Sequence, residues 1–188
     1  MVFDNLETIF IHIPKTGGTS IQFALSDVKL KFWRHSVNHL NTLEYLQEQG
    51  TKFWKYHKFA VVRDPIEREY SLYNYFVKKS FKISFHEYLQ KMLDDKNSFL
   101  KKKYERRKKY KNLFQDQIDF IAIDNNFYID QIIRYEDLQN GYNQLCNKIG
   151  LPQKELKHFR KGKKSHIFSE EVKLIKKIRE RDFEMLSY

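Results

Sequence analysis

A short segment after an apolar strand carries the residue types of an anion-binding loop. The apolar segment 9–14 leads into Lys15-Thr16-Gly17-Gly18-Thr19-Ser20 and then into a predicted helix. Glycines let a backbone turn tightly and bring its N–H groups against a ligand, and a helix N-terminus adds unpaired donors and partial positive charge. Lys15 adds a full charge, and Thr16, Thr19 and Ser20 add hydroxyls. These residues predict a cradle for a phosphate or sulfate group.

A second candidate anion site follows the next apolar strand. The run Phe59-Ala60-Val61-Val62 ends at Arg63, and Asp64-Pro65 then has the pattern of a helix start, with Asp64 as the N-cap. Open α/β sheets place their ligands at the carboxyl ends of strands. Arginine can bind a phosphate through two parallel hydrogen bonds, and the hydroxyl of Ser71, about two turns into the helix, can complete such a site.

Strand and helix signals alternate along the chain, which predicts an α/β fold with a central parallel sheet flanked by helices. Few prolines and glycines interrupt the pattern, so we expect a single domain over residues 1–188. The expected strands are 8–13, 59–62 and 129–134. The expected helices are 19–25, 41–50 with an Asn41 and Glu44 capping box, 64–77, 84–93, 112–121 and a helix that ends at Gly150.

The two anion-binding segments together resemble carbohydrate sulfotransferases of the type that acts on heparan sulfate (sulfotransferase family 2). His12-Ile13-Pro14-Lys15-Thr16-Gly17-Gly18-Thr19-Ser20 is similar to their 5′-phosphosulfate loop, and Arg63 followed by Ser71 is similar to their 3′-phosphate element. The lysine precedes the glycines, unlike the nucleotide-triphosphate loop, in which it follows them. The resemblance implies a fold like that of P-loop NTPases and the donor 3′-phosphoadenosine 5′-phosphosulfate (PAPS).

In this interpretation the sulfuryl group passes to an acceptor hydroxyl, which we expect on a carbohydrate, and no metal is required. Positioning and electrostatic stabilisation are expected to dominate, as in phosphoryl transfer. Lys15 is the candidate for stabilising charge on the bridging and leaving oxygens. The backbone of Thr16, Gly17, Gly18, Thr19 and Ser20 would hold the 5′-phosphate.

A general base is expected between the two elements. Relatives often place a histidine in this interval, just before a short helix, and His39 fits that position better than His35 because Asn41 then caps the helix. Histidine suits the role because its pKa lies near neutrality. Some related enzymes use a glutamate instead, so Glu44 stays an alternative. His12 lies in the strand and is expected to shape the site.

The resemblance extends to the later part of the chain. Residues 131–138 are similar to the late strand and turn of these enzymes, 158–165 to the loop that closes over the adenosine 3′-phosphate, and the tail to their final helix. Residues 81–112 match poorly, so acceptor specificity cannot be transferred from the family.

The chain of 188 residues carries a formal net charge of +11. Residues 101–111 contain eight basic residues and one acid, which is typical of a solvated helix face, of attraction to an anionic acceptor, or of nucleic-acid binding. The alternative interpretation is therefore a basic nucleic-acid-binding protein without sulfotransfer activity. A kinase is disfavoured because no lysine follows the last glycine of the loop and no metal-binding acid stands out.

The single cysteine, Cys146, falls on the apolar face of a predicted helix, so it is expected in the core and no disulfide can form within the chain. We find no signal peptide pattern and no run of membrane-spanning length. These features predict a cytoplasmic bacterial or viral form, or a soluble catalytic domain.

Overall fold

A four-stranded sheet forms the centre of the computed structural model, which describes residues 1–25, 39–94, 112–157 and 167–188. The strand order is β1 (Val2–Phe3), β2 (Thr8–Ile11), β3 (His57–Val62) and β6 (Gln131–Arg134). β1 is antiparallel to β2, whereas β2, β3 and β6 are parallel. A separate hairpin consists of β4 (Ala122–Ile123) and β5 (Asn126–Phe127). The fold is the expected α/β arrangement with a mostly parallel sheet.

Helices follow the strands in the described parts of the chain. They are α1 (Gly18–Leu25), α2 (Thr42–Gln49), α3 (Thr51–Lys55), α4 (Pro65–Leu72), α5 (Lys78–Phe81), α6 (Phe85–Asp94), α7 (Ile118–Ile121), α8 (Leu138–Ile149), α9 (Ser169–Ile178) and α10 (Glu180–Leu186). A π-helical turn, Tyr73–Val77, connects α4 to α5. None of the described helices combines the length and apolar character needed to cross a membrane.

Alternating side chains of β2 and β3 are buried on both faces of the sheet. On one face Phe10, Phe59 and Ile133 pack against α1 and α8, and the buried Cys146 lies in this cluster, as predicted. On the other face Ile11 and Val62 belong to a cluster that includes residues of α2, α3 and α7. Successive residues of a strand point to opposite faces, so near-continuous apolar strands require cover on both sides.

The register brings the functional strand ends to one edge. Ile11 of β2 is paired with Ala60 of β3, and Val62 of β3 is paired with Arg134 of β6. Because the three strands are parallel, their carboxyl ends lead into three neighbouring loops. These loops begin after Ile11, after Val62 and after Arg134, and the first two contain the predicted anion-binding residues.

The predicted helix over 112–121 is wrong in its first part. Residues 112–117 form turns, and helix begins only at Ile118. Tertiary hydrogen bonds replace helical ones here, because Asn112 donates its side-chain amide to the carbonyl of His39 (3.0 Å) and Gln117 donates to the carbonyl of Arg63 (2.8 Å). The helix predicted over 64–77 is also interrupted, since α4 ends at Leu72 and the π turn follows.

A buried ionic cluster joins α4, the segment before α7 and the C-terminal helices. Arg179 donates to Glu69 (2.7 Å) and to Asp116 (2.6 Å), and Tyr88 donates its hydroxyl to Glu69. The side chain of Arg179 is only 1% exposed. Paired charges of this kind contribute little net stability, but removing one partner leaves the others buried without compensation.

We expect Arg179→Met to lower the free energy of unfolding by about 3–5 kcal/mol, because Glu69 and Asp116 would remain buried without their cation. Urea denaturation at neutral pH measures the loss. Arg181→Met is the matched control, since Arg181 pairs with Asp119 at the surface and such pairs contribute at most about 1 kcal/mol. Equal losses for the two variants would contradict a structural role for the buried cluster.

Candidate functional site

The segment Lys15–Ser20, here called the anion loop, connects β2 to α1. Lys15 and Gly17 have left-handed backbones, with φ of 69° and 85°, on either side of Thr16. Left-handed residues within such a turn can direct successive N–H groups toward one side, which creates an anion-binding concavity. Two hydrogen bonds fix the turn, from the Thr16 hydroxyl to the Ile13 carbonyl (3.0 Å) and from the Ser20 amide to the Gly17 carbonyl (2.9 Å).

Rings pack directly against both glycines of the anion loop. A Cβ atom on Gly18 would lie 2.1 Å from the ring of His12, and one on Gly17 would lie 2.6 Å from the ring of Tyr135. Real Cβ atoms do not approach other atoms so closely. The two glycines are therefore required by packing, in addition to the positive φ of Gly17.

The hydroxyls of the anion loop have different surroundings. Thr16 is buried and its hydroxyl donates within the loop, whereas Thr19 is exposed on the first turn of α1. The hydroxyl of Ser20 donates to the carbonyl of Lys157 (2.9 Å), which ties the loop to the segment after α8. The backbone N–H groups and Lys15 are thus the main features that the loop offers to an anion.

Arg63 lies at the end of β3 and reaches the anion loop. One guanidinium nitrogen is 3.4 Å from the carbonyl oxygen of Lys15, and another forms an ion pair with Glu67 (3.1 Å). The guanidinium also lies over the ring of Tyr135, 4.4 Å from its centroid. The side chain of Gln117 accepts from the Arg63 amide (2.9 Å), which fixes the backbone at this point.

The start of α4 is built as the sequence predicts. The side chain of Asp64 accepts from the amide of Glu67 (2.9 Å), and Pro65 occupies the first turn. Ser71, predicted to act with Arg63, is half-buried in the last turn of α4. The two residues thus follow the same strand end, with Arg63 in the connecting loop and Ser71 on the helix.

Two residues that contact the candidate site are not predicted as site residues from the sequence. Tyr135 contacts both Gly17 and Arg63, and its one sequence signal is its position directly after β6. Arg68 is 1% exposed and donates from Nε to the carbonyl of Pro14 (3.1 Å), the residue directly before the anion loop. Both of its terminal nitrogens donate to the Gln115 carbonyl (3.1 Å each), so this guanidinium joins α4 to the start of the loop.

His39 lies close to the anion loop in the described part of the interval between the two elements. Its Nδ1 is 2.9 Å from the backbone oxygen of His12, and the two imidazole rings are 4.9 Å apart. A carbonyl oxygen can only accept, so Nδ1 carries the proton and Nε2 keeps its lone pair in the neutral ring. This tautomer presents Nε2 as a proton acceptor.

Burial keeps both histidines neutral. Burial lowers the pKa of His39 to about 4, the hydrogen bond with His12 opposes this shift, and the positive charges of Arg68 and Lys15 reinforce it. Burial likewise lowers the pKa of His12 well below its usual value. The Nδ1 atom of His12 is buried and has no hydrogen-bond partner among the described residues, and its ring stacks on Phe10.

Glu44, the alternative base, belongs to a helix cap. Its carboxylate accepts from the amide of Asn41 (2.9 Å) and from the side chain of Asn112 (2.6 Å), while Asn41 accepts in return from the Glu44 amide (2.9 Å). The predicted capping box is confirmed. His35, the basic run 101–111 and the predicted closing loop 158–165 lie outside the described residues.

We expect the free energy of unfolding to fall as the pH drops from about 6.5 toward 4. In this interval the unfolded chain binds a proton at His39 that the folded protein does not bind, so stability is complete above the ordinary histidine pKa and is lost on acidification. Denaturant unfolding between pH 4 and 8 measures this slope. The pH dependence of stability should be less steep in His39→Gln than in the parent protein, and identical slopes would contradict a neutral His39 in the folded protein.

Comparison with protein families adds an independent finding. The model of the sulfotransferase family matches residues 1–188. Comparisons with curated proteins and with solved structures return no match. The family's chemistry is sulfuryl transfer, and its fold agrees with the parallel sheet and flanking helices seen here. The chain belongs to the sulfotransferase family.

Proposed function

We propose that this chain transfers the sulfuryl group of PAPS to an acceptor hydroxyl on a carbohydrate. The observation that carries the proposal is the meeting of two anion-binding elements at one sheet edge, where the Arg63 guanidinium lies 3.4 Å from the Lys15 carbonyl. PAPS carries anionic groups on both sides of its ribose. A site with one loop for the 5′-phosphosulfate and one arginine for the 3′-phosphate fits this donor.

The donor would be held by groups that differ in rigidity. The backbone N–H groups of residues 16–20 would bind the 5′-phosphate, with the helix N-terminus of α1 behind them. Arg63 and Ser71 would bind the 3′-phosphate, and Tyr135 supports the arginine from below through its ring. A guanidinium that is stacked and hydrogen-bonded in advance loses less conformational freedom when phosphate binds.

The transfer would proceed in line. The acceptor oxygen attacks sulfur, the bond between sulfur and the bridging oxygen breaks, and 3′-phosphoadenosine 5′-phosphate (PAP) departs with that oxygen. Lys15 would stabilise the negative charge that develops on the bridging oxygen. His39 would take the acceptor's proton at Nε2, since the His12 carbonyl holds its other nitrogen.

The acceptor and the cellular location are proposed from the motifs and the composition of the chain. The carbohydrate acceptor is supported by the resemblance of the motifs to carbohydrate sulfotransferases, and the net charge of +11 favours an anionic saccharide. We propose a cytoplasmic enzyme because the single cysteine excludes a disulfide within the chain.

Calorimetric titration with PAP tests donor binding directly. We expect PAP to bind about 10- to 100-fold more tightly than AMP or ADP, because only PAP has the 3′-phosphate that a charge-assisted hydrogen bond can recognise. Arg63→Ala should remove this preference and leave AMP binding nearly unchanged, whereas Lys15→Ala should weaken both ligands. Arg181→Ala is the matched control because this arginine pairs with Asp119 at the surface.

Equal binding of PAP and ADP by the parent protein would overturn the donor assignment. Salt-sensitive binding to DNA or RNA that survives Lys15→Ala, and that is lost when the basic residues of 101–111 are neutralised, would favour the nucleic-acid alternative instead. Both outcomes are measured on the same purified protein.

His39→Gln tests the proposed base. We expect PAP affinity to stay within about 2-fold of the parent value, while sulfuryl transfer from PAPS to a responsive saccharide falls by roughly 10²–10⁴-fold, the usual contribution of a general base. Transfer is followed with labelled PAPS on a panel of neutral and acidic polysaccharides. Glu44→Gln provides the comparison, and a larger loss there than in His39→Gln would assign the proton to Glu44.

A further inference from the structure

The π turn after α4 aligns two buried side chains with the core. Leu72 and Val77 are five residues apart and both fully buried, a spacing that a π turn aligns and an α-helix does not. The amide of Lys78 donates to the carbonyl of Tyr73, five residues before it, and the Asn74 side chain donates to the Tyr70 carbonyl (3.0 Å). π turns within helices occur frequently at functional sites.

Tyr75, in the π turn, lies beside the anion loop. Tyr75 is 52% exposed, yet the ammonium of Lys15 lies 4.0 Å from the centroid of its ring. The ring of Tyr75 also contacts the ring of Phe76, its neighbour in the same turn, edge-on, with 4.6 Å between centroids. An aromatic ring at this distance attracts a cation through its quadrupole.

The side chain of Lys15 is longer and has more rotatable bonds than the other side chains of the anion loop, so a contact that restricts its rotamers has a larger effect. Its backbone is left-handed, and its side chain is a flexible four-carbon stem whose ordering on ligand binding is unfavourable in entropy. A ring against one side of the ammonium limits this freedom before the donor arrives. Because the attraction to a ring does not use a hydrogen-bond acceptor, it is compatible with N–H groups that donate to phosphosulfate oxygens.

We propose that Tyr75 is a positioning residue for Lys15, acting through its ring and not its hydroxyl. This inference rests on the proposed function, since it assigns Lys15 to the donor. Tyr75 holds the ammonium at the anion loop in the free protein and stays beside it when the donor binds. The ring thereby raises donor affinity and the rate of transfer through the same lysine.

Removing the ring should weaken PAP binding by about 3- to 10-fold in Tyr75→Leu, whereas Tyr75→Phe should stay within about 2-fold of the parent protein. The position is half exposed, so both variants are expected to fold. Phe127→Leu is the matched control, because Phe127 is an aromatic of similar exposure (44%) on the separate β4–β5 hairpin.

A double-mutant cycle separates positioning from a general structural effect. In the Lys15→Ala background, Tyr75→Leu should weaken PAP binding by less than 2-fold, because the ring has no ammonium left to hold. The same loss in both backgrounds would overturn the inference. Tighter PAP binding by Tyr75→Leu would also overturn it, since the ring would then compete with the donor for the lysine.

A spectroscopic measurement keeps the inference testable if PAP does not bind. In the ligand-free protein, the Cε protons of Lys15 should show an upfield ring-current shift in NMR spectra, assigned through Lys15→Ala. The shift should persist in Tyr75→Phe and disappear in Tyr75→Leu. If this shift pattern is present but PAP is not preferred to ADP, the donor assignment is disproved. If the shift is absent, the position assigned to Tyr75 is disproved.

Discussion

The parallel pairing of β2 with β3 is the constraint on which the rest of the molecule depends. The register of Ile11 with Ala60 places the ends of two strands side by side, although Lys15 and Arg63 are far apart in the sequence. Antiparallel pairing would send the two loops to opposite ends of the sheet. The contact between the Arg63 guanidinium and the Lys15 carbonyl follows from this register.

Buried charged side chains contact the backbone at the start of the loop after β2. Arg68 binds the carbonyl of Pro14, and Asp182 of the last helix lies 4.0 Å from its guanidinium. Arg179 binds the two nearby carboxylates, Glu69 and Asp116, more closely. These contacts connect the loop after β2 to the C-terminal helices. Residues of the last helices therefore help to fix the backbone position of Lys15.

The sequence was sufficient to predict the parts of the site that depend on interactions between residues close together in the chain. The glycines of the anion loop, the Asp64 cap and the Asn41 capping box each act within a few residues, so their spacing is enough to predict them. Arg68 could not be found in this way. It lies between two glutamates, as a surface residue would, and its hydrogen-bond partners, Pro14 and Gln115, are distant in the sequence.

Non-local contacts account for the other differences. Residues 112–117 have a helical sequence pattern, but their side chains bind His39, Glu44 and Arg63, and those hydrogen bonds replace a helix. The π turn depends on which residues of 72–77 face the core, which only the packed helices decide. Tyr135 gains its position between Gly17 and Arg63 only when β6 joins the sheet.

The ion pair between Arg63 and Glu67 has a consequence for selectivity among small anions. Glu67 is half exposed, so its carboxylate can leave the guanidinium without a change in the fold. An anion that binds the arginine at the same terminal nitrogen would have to exchange with this carboxylate. A singly charged ion such as chloride replaces one negative charge with another and gains little, whereas a doubly charged phosphate monoester gains a stronger bidentate contact. If Arg63 binds the donor as proposed, this exchange would favour a phosphate monoester over singly charged anions.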